Sequence, residues 1–129
     1  MQRISLFALV VPDYDAAIEF YVNAMQFDLI DDTDQGDGKR WVVVAPKGAE
    51  TRILLAKADG PAQSAAVGNQ TGGRVGFFLE TDHFERDHSA MLAAGVTFEE
   101  APRHEDYGSV AVWRDPFGNR WDLIEFAKT

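Results

Sequence analysis

Apolar residues are grouped along this chain in two alternating rhythms. Ile4 to Val11 is almost wholly apolar and rich in branched side chains, which predicts a strand covered on both faces. Pro12 ends it, and Asp13 has the chemistry of a helix N-cap. Ala17, Phe20, Tyr21 and Ala24 then recur at i, i+3, i+4 and i+7, one face of a helix. Phe27 to Ile30 reads as a short strand and Asp31 to Lys39 as a polar turn. Trp41 to Ala45 and Ile53 to Leu55 read as two more strands. The order is βαβββ.

The second half repeats that order. Val75 to Leu79 predicts a strand. Asp82 and Glu85 have the spacing of a capping box. Phe84, His88, Met91 and Leu92 share a helical face, and Gly95 stands where a helix stops. Val96 to Phe98, Ser109 to Trp113 and Trp121 to Phe126 supply three strands. Lys57 to Gly73, rich in Gly, Pro, Ala, Gln and Asn, reads as a connector. The expectation is therefore one domain, 1–129, made of modules 1–57 and 74–129 joined by 58–73. Neither module is large enough to bury its own sheet. The predicted fold class is α+β: two tandem βαβββ modules forming a curved, partly open eight-stranded sheet with a concave cleft.

Asp115-Pro116-Phe117-Gly118-Asn119 reads as a tight turn feeding the last strand, because Pro presets its own backbone angle and Gly and Asn tolerate left-handed conformations. The strand that follows carries Asp122 among apolar neighbours, an unusual setting for a charge. Pro46-Lys47-Gly48 followed by Arg52-Ile53-Leu54 is a weaker echo of the same turn and strand, offset by roughly seventy residues, as expected of two copies of one unit.

Composition narrows the functional classes. The 129 residues suit one domain, with 46% hydrophobic and 26% charged content. A net charge of -9 makes nucleic acid and anionic membrane surfaces poor partners. With no cysteine there is no disulfide, thiolate ligand or cysteine nucleophile. No apolar run approaches the ~20 residues of a membrane span, and no secretory leader pattern opens the sequence, so a soluble cytoplasmic protein is expected. The sequon-like Asn69-Gln70-Thr71 is discounted for the same reason.

Three stretches in order, Val11 to Tyr21, Met25-Gln26-Phe27 and Asp115 to Asn119, give a chain that resembles the vicinal oxygen chelate superfamily of glyoxalase I, bleomycin-resistance proteins and extradiol dioxygenases. The resemblance implies the fold above and a homodimer. It does not by itself imply one activity. Enzymes of that superfamily hold a divalent metal with His and Glu from four strands. The matching positions here are Leu6, Leu54, Gly76 and Asp122, and a shift of one residue supplies no better set. Only Asp122 can ligate, so no metal and no cofactor is expected at the usual site.

The candidate ligand-binding residues are Arg40, Trp41, Gln70, Arg74, Phe78, Arg103, His104, Tyr107, Trp113 and Asp122. Asp122 is either a polar group of the cleft or a structural carboxylate, with Arg74 or His104 as its expected partner. Arg103 to Gly108 is expected to be a loop whose His104 and Tyr107 contact ligand, or else a solvated turn. His104 and Asp122 are the weak catalytic candidates. Gln70 lies in a stretch that either binds a neutral polar ligand or hinges the halves. Trp41, Phe78, Tyr107 and Trp113 could stack on a planar ligand, although Trp41, Trp113 and Trp121 equally suit a core. His83 and His88, five apart, do not form a metal pair. Glu99, Glu100, Asp31 and Asp32 read as solvated strand ends.

Two functions follow. One is a metal-free protein, similar to the bleomycin-resistance branch, that binds a small organic ligand. The other is a lyase, isomerase or dioxygenase using acid–base residues or a non-standard metal site.

Overall fold

The computed structural model describes residues 1–128. The chain forms two compact units, Met1–Gln70 and the residues from Thr71 onward.

In the first unit, β1 (Leu6–Val11), β2 (Asp28–Gly36), β3 (Lys39–Ala45) and β4 (Arg52–Lys57) form a sheet in the order β1-β4-β3-β2. β1 and β4 run parallel; the other pairs are antiparallel. Asp13 caps α1 (Tyr14–Ile18) as expected, its Oδ2 accepting from the Ala16 amide at 2.8 Å. The helix then widens into a π-helical turn, Glu19–Ala24. Tyr14, Ala17 and Tyr21 are buried, and so are Leu9, Val11, Val42, Val44 and Leu55, which register places on one sheet face. α1 packs on β3 and β4, so that face is the helix-covered one.

Two expectations are corrected here. Asp31 to Lys39 is mostly strand: β2 runs to Gly36, and only the residues between it and β3 turn. Its side chains are largely exposed at the end of the sheet, so the backbone ladder holds it without an apolar rhythm. The connector also contains a helix, α2 (Gly60–Ala66), which opens on Pro and buries none of its residues. A helix without an apolar stripe leaves no periodicity to read.

The second unit holds β5 (Phe77–Glu80), α3 (Phe84–Ala93), β6 (Thr97–Phe98), β7 (Arg103–Glu105), β8 (Gly108–Arg114) and β9 (Arg120–Phe126). The sheet order is β5-β9-β8-β6, with β7 also paired to β8. Phe77, Trp121 and Trp113 stack in a row on the face toward α3: ring centroids are 5.0 Å apart for Phe77–Trp121 and 4.9 Å for Trp113–Trp121. His88 packs between Phe84 and Phe98, the packing role expected of it.

The Asp82–Glu85 capping box does not form. His83 is the N-cap, its Nδ1 accepting from the Arg86 amide at 3.3 Å, while Glu125 Oε1 accepts from the Phe84 amide at 2.6 Å. Asp82 faces Arg86 instead, at 3.4 Å. Gly95 ends the helix at φ 85°, as the pattern predicts, but Leu92 points outward and is exposed. The architecture is thus mixed α+β with two open sheets of four and five strands. The strand beyond the expected eight is β7, a three-residue piece too short to show alternation.

The turn between β8 and β9 is closed by Asp115, which is buried. Its Oδ1 accepts from the amides of Phe117 at 3.0 Å and Asn119 at 2.9 Å, and its Oδ2 accepts from Asn119 Nδ2 at 2.7 Å.

Candidate functional site

Each sheet has one face packed under α1 or α3, and the positions matching the superfamily's metal ligands fall on the opposite faces. In the first unit Ala8 pairs with Leu54, so Leu6, Ala8 and Leu54 share the face away from α1. In the second unit Phe78 pairs with Asp122, so Gly76, Phe78 and Asp122 share the face away from α3. Leu, Leu and Gly offer no donor atom. Position 76 is also covered: a Cβ there would lie 2.1 Å from Thr71 Cγ2. The residues present do not fit the divalent metal the fold implies. Among the described residues no group of three His, Cys, Asp or Glu is placed to hold a metal.

The first unit has a groove of about 580 Å³. It opens where β3 and β4 diverge. Their ladder covers Val44–Ile53, Val43–Leu54 and Val42–Leu55, and the next residues, Trp41 and Ala56, no longer pair. Tyr14, Trp41, Leu54 and Ala56 line it, with Lys39 and Lys57 among its charged residues. Trp41 is 37% exposed, a large flat ring open to solvent. Arg40 also lines the groove but is held by Asp32 at 2.8 Å and Asp15 at 2.9 Å, with its guanidinium 5.2 Å from the Tyr14 ring centroid. Those ion pairs raise the Arg40 pKa, Asp32 contributing most, and the Arg40 hydrogen bond lowers that of Asp32. Arg40 shapes the wall more than it offers a free charge. The volume falls within the range of small-molecule sites.

The second unit's helix-free face carries an ion network around Asp122. Arg120 donates to Glu99 twice, at 2.8 and 2.9 Å, and to the Gly73 carbonyl at 2.9 Å. Arg103 donates to Glu100 and Glu105. Glu99, gripped by Arg120 and then by Arg114 against the opposing effect of burial, is held down at about 2. Burial pushes Glu100 up, but the hydrogen bonds from Arg103 and the Val112 amide outweigh it and its pKa is lowered. Asp122 goes the other way: burial raises its pKa, and the more distant charges of Arg103 and Arg120 only partly oppose this. Its Oδ1 is buried and accepts no hydrogen bond among the described residues.

These shifts predict opposite pH behaviour at two carboxylates. Glu99 stabilises the fold above its ordinary value of 4.5, and that contribution is lost as pH falls towards about 2. Glu99→Gln is expected to cost on the order of 1–2 kcal/mol at neutral pH, after allowance for solvent screening, and little in strong acid. The Asp122 contribution is present below its ordinary value of 3.8 and is lost as pH rises through its raised pKa. Asp122→Asn is therefore expected to stabilise the protein at neutral pH and not in acid. Urea unfolding of both variants across pH measures this; a Glu99→Gln deficit that persists unchanged at low pH would contradict it.

The remaining candidates are dispersed. Arg74 and His104 are not partners of Asp122: Arg74 Nε donates to the Val75 carbonyl, and His104 Nδ1 lies 3.0 Å from Ser109 Oγ. His104 pairs with Ser109, which pairs with Glu125, so His104 and Asp122 occupy opposite faces of the sheet. The Arg103–Gly108 stretch is a β7–β8 hairpin, with Tyr107 exposed at its tip. Trp113 has 0% exposure and belongs to the core. Gln70 is already engaged, donating to the Ala8 carbonyl at 2.8 Å and accepting from the Val10 amide at 2.9 Å. The groove residues Tyr14, Lys39, Ala56 and Lys57 are not among the sequence candidates. Lys57 directly after the apolar run of β4 was the available signal.

With two βαβββ-like units and bare sheet faces of this kind, the chain belongs to the Glyoxalase/Bleomycin resistance protein/Dioxygenase superfamily, whose family description matches residues 3–123. It is 52% identical over 126 residues to an uncharacterized protein of Shewanella frigidimarina (strain NCIMB 400), covering 96% of this chain and 93% of that one. Among solved structures it is similar to UcmS2, at a TM-score of 0.85 and 28% identity over 96% of this chain and 98% of that one. It is also similar to TnmS3, an antibiotic binding protein from Streptomyces sp. CB03234, at a TM-score of 0.80 and 31% identity over 98% of each chain. No helix among the described residues is long and apolar enough to cross a membrane.

Proposed function

We propose that this protein binds a small, partly planar organic molecule in the groove of its first unit, without the superfamily's divalent metal. The observation that carries this reading is the groove itself: an apolar floor beside an exposed Trp41 ring, with Leu54 standing where a metal-binding relative would place a ligand. Trp41 and the apolar residues Leu54 and Ala56, flanked by the polar side chains of Asp37, Lys39, Lys57, Asp59 and Gln63, suit an organic ligand with both a flat apolar part and polar groups. The similarity to an antibiotic binding protein supports it. No observation favours the enzymatic reading, because the acid–base candidates His104 and Asp122 face opposite ways.

We also propose that the protein works as a homodimer. Exposed Ile4, Phe7, Phe78 and Phe126 are surfaces that self-association would cover. Light scattering on the purified chain tests this.

The ligand reading is tested by a thermal-shift screen of aromatic glycopeptide antibiotics, catechols and glutathione adducts, followed by titration of any hit. Trp41→Ala is expected to weaken binding roughly 10- to 100-fold while leaving the unliganded melting temperature nearly unchanged. Binding that is indifferent to Trp41→Ala would sink the proposal. So would a stoichiometric divalent metal, found in protein purified without chelator, on which binding depends.

A further inference from the structure

The groove of the first unit has hydrogen-bonding capacity that the chain itself leaves unused, and its least hydrated part is of one kind. Tyr14, at the start of α1, lines the groove yet is only 7% exposed. Its hydroxyl oxygen accepts from the amide of Arg40, another lining residue, at 3.1 Å, just past the point where the β3–β4 ladder ends. That bond takes up a lone pair and leaves the proton. Among the described residues no atom accepts from the Tyr14 hydroxyl, and a buried donor without an acceptor carries a free-energy cost.

Gln63, on α2, is in a similar state. Its Oε1 accepts from the Asp59 amide at 2.8 Å, so the group left over is Nε2, which can only donate. Lys39 and Lys57 line the groove too. Neither forms an ion pair among the described residues, although acids outnumber bases in the chain by 21 to 12, so both ammonium groups are left for a ligand. The lining also has two acids, Asp37 and Asp59, both exposed, one in the β2–β3 turn and one just ahead of α2. Water satisfies an exposed carboxylate; it does not readily satisfy a buried hydroxyl proton. What the groove lacks is an acceptor.

We infer that the groove selects, among flat organic molecules, those that present an acceptor oxygen, a ketone or a carboxylate, to the Tyr14 hydroxyl. This rests on the groove reading above and adds the chemical class of the ligand and the residue that chooses it. Tyr14 is a specificity residue: Trp41 holds the flat part of any ligand, and Tyr14 separates those with the oxygen from those without. A site built to hydrogen-bond one ligand group discriminates strongly against the analogue lacking it, because the buried partner is then stranded. An ammonium in the same place would oppose donor to donor and meet the like charges of Lys39 and Lys57.

Four naphthalenes of one shape class test this: 2-acetylnaphthalene, 2-naphthoate, 2-ethylnaphthalene and 2-naphthylmethylamine, titrated against the whole chain and followed by the amide shifts of Tyr14, Arg40 and Trp41. The ketone and the carboxylate are expected to bind at least 5-fold more tightly than the ethyl compound, and the amine more weakly than either. Tyr14→Phe is expected to lower the melting temperature, because the Arg40 amide loses its acceptor, so the readout is a ratio. The ketone-to-ethyl preference should fall to near 1 in that variant, which a merely structural tyrosine would leave unchanged. Lys57→Met, at the exposed end of β4, leaves that bond intact and should weaken the carboxylate at least 3-fold while sparing the ketone. Trp41→Ala should weaken all four probes. Probes that bind with dependence on Trp41 but with no preference for the oxygen, or with a preference that survives Tyr14→Phe, would overturn this inference and leave the groove reading standing. Indifference of every probe to Trp41→Ala would overturn both.

Discussion

Gly108→Ala is expected to destabilise the protein by about 3 kcal/mol or more. A Cβ at Gly108 would lie 2.1 Å from the Glu125 carbonyl oxygen, 2.9 Å from Phe126 Cα and 3.0 Å from the Ala127 nitrogen, at φ 148°. Every obstructing atom is backbone, and the pair it blocks, Gly108–Phe126, is where β8 and β9 begin to zip. Gly76→Ala meets an equally short distance, 2.1 Å, but from the side-chain methyl of Thr71. Thr71 can swing away at the cost of its hydrogen bond to the Arg74 carbonyl, 2.7 Å long, so a loss of about 1–2 kcal/mol is expected there. Thr71→Ser removes the methyl and keeps the hydroxyl, and in the double variant it should recover most of that loss. No neighbouring substitution should rescue Gly108→Ala. Urea unfolding of the two single variants and the double one measures all of this. Equal costs at the two glycines, or no recovery with Thr71→Ser, would show that the obstruction has been misjudged.

Asp115→Ala should cost about 3 kcal/mol. Its carboxylate accepts from two amides and from the Asn119 side chain inside a buried turn, and removing it strands all three donors. Asp115→Asn should recover part of that loss, because one amide oxygen can still accept while the amide nitrogen opposes a donor. The two melting temperatures, compared with the native protein, test the ranking. Asp115→Ala as stable as the native chain would show that the turn holds through Pro116 and Gly118 alone.

That turn was legible in the sequence because its chemistry is local: Asp, Pro, Gly and Asn each carry their conformational preference with them. The two-unit βαβββ order was legible for a similar reason, since Val11, Ala17, Tyr21, Met91 and Leu123 bury themselves along it. The strand β2 and the helix α2 were not, because neither buries a continuous apolar face. The helix cap at His83 escaped notice because its second contributor, Glu125, comes from a strand 41 residues away. The same distance in sequence hid the site. Asp122 could be singled out as an odd charge, and Glu100 stands only three residues from Arg103, but that Arg120 would be claimed by Glu99, 21 residues away, depends on β6, β8 and β9 lying side by side. The groove depends on two strands parting, and nothing in Trp41 or Ala56 alone announces where a ladder stops.

Gln70 gives β1 a partner that is not a strand. Its amide group presents one donor and one acceptor to Ala8 and Val10 in the way a neighbouring peptide unit would. An extended peptide seeking to lengthen the sheet from that margin would first have to evict this side chain. A single glutamine thus guards the outermost strand against unwanted polymerisation.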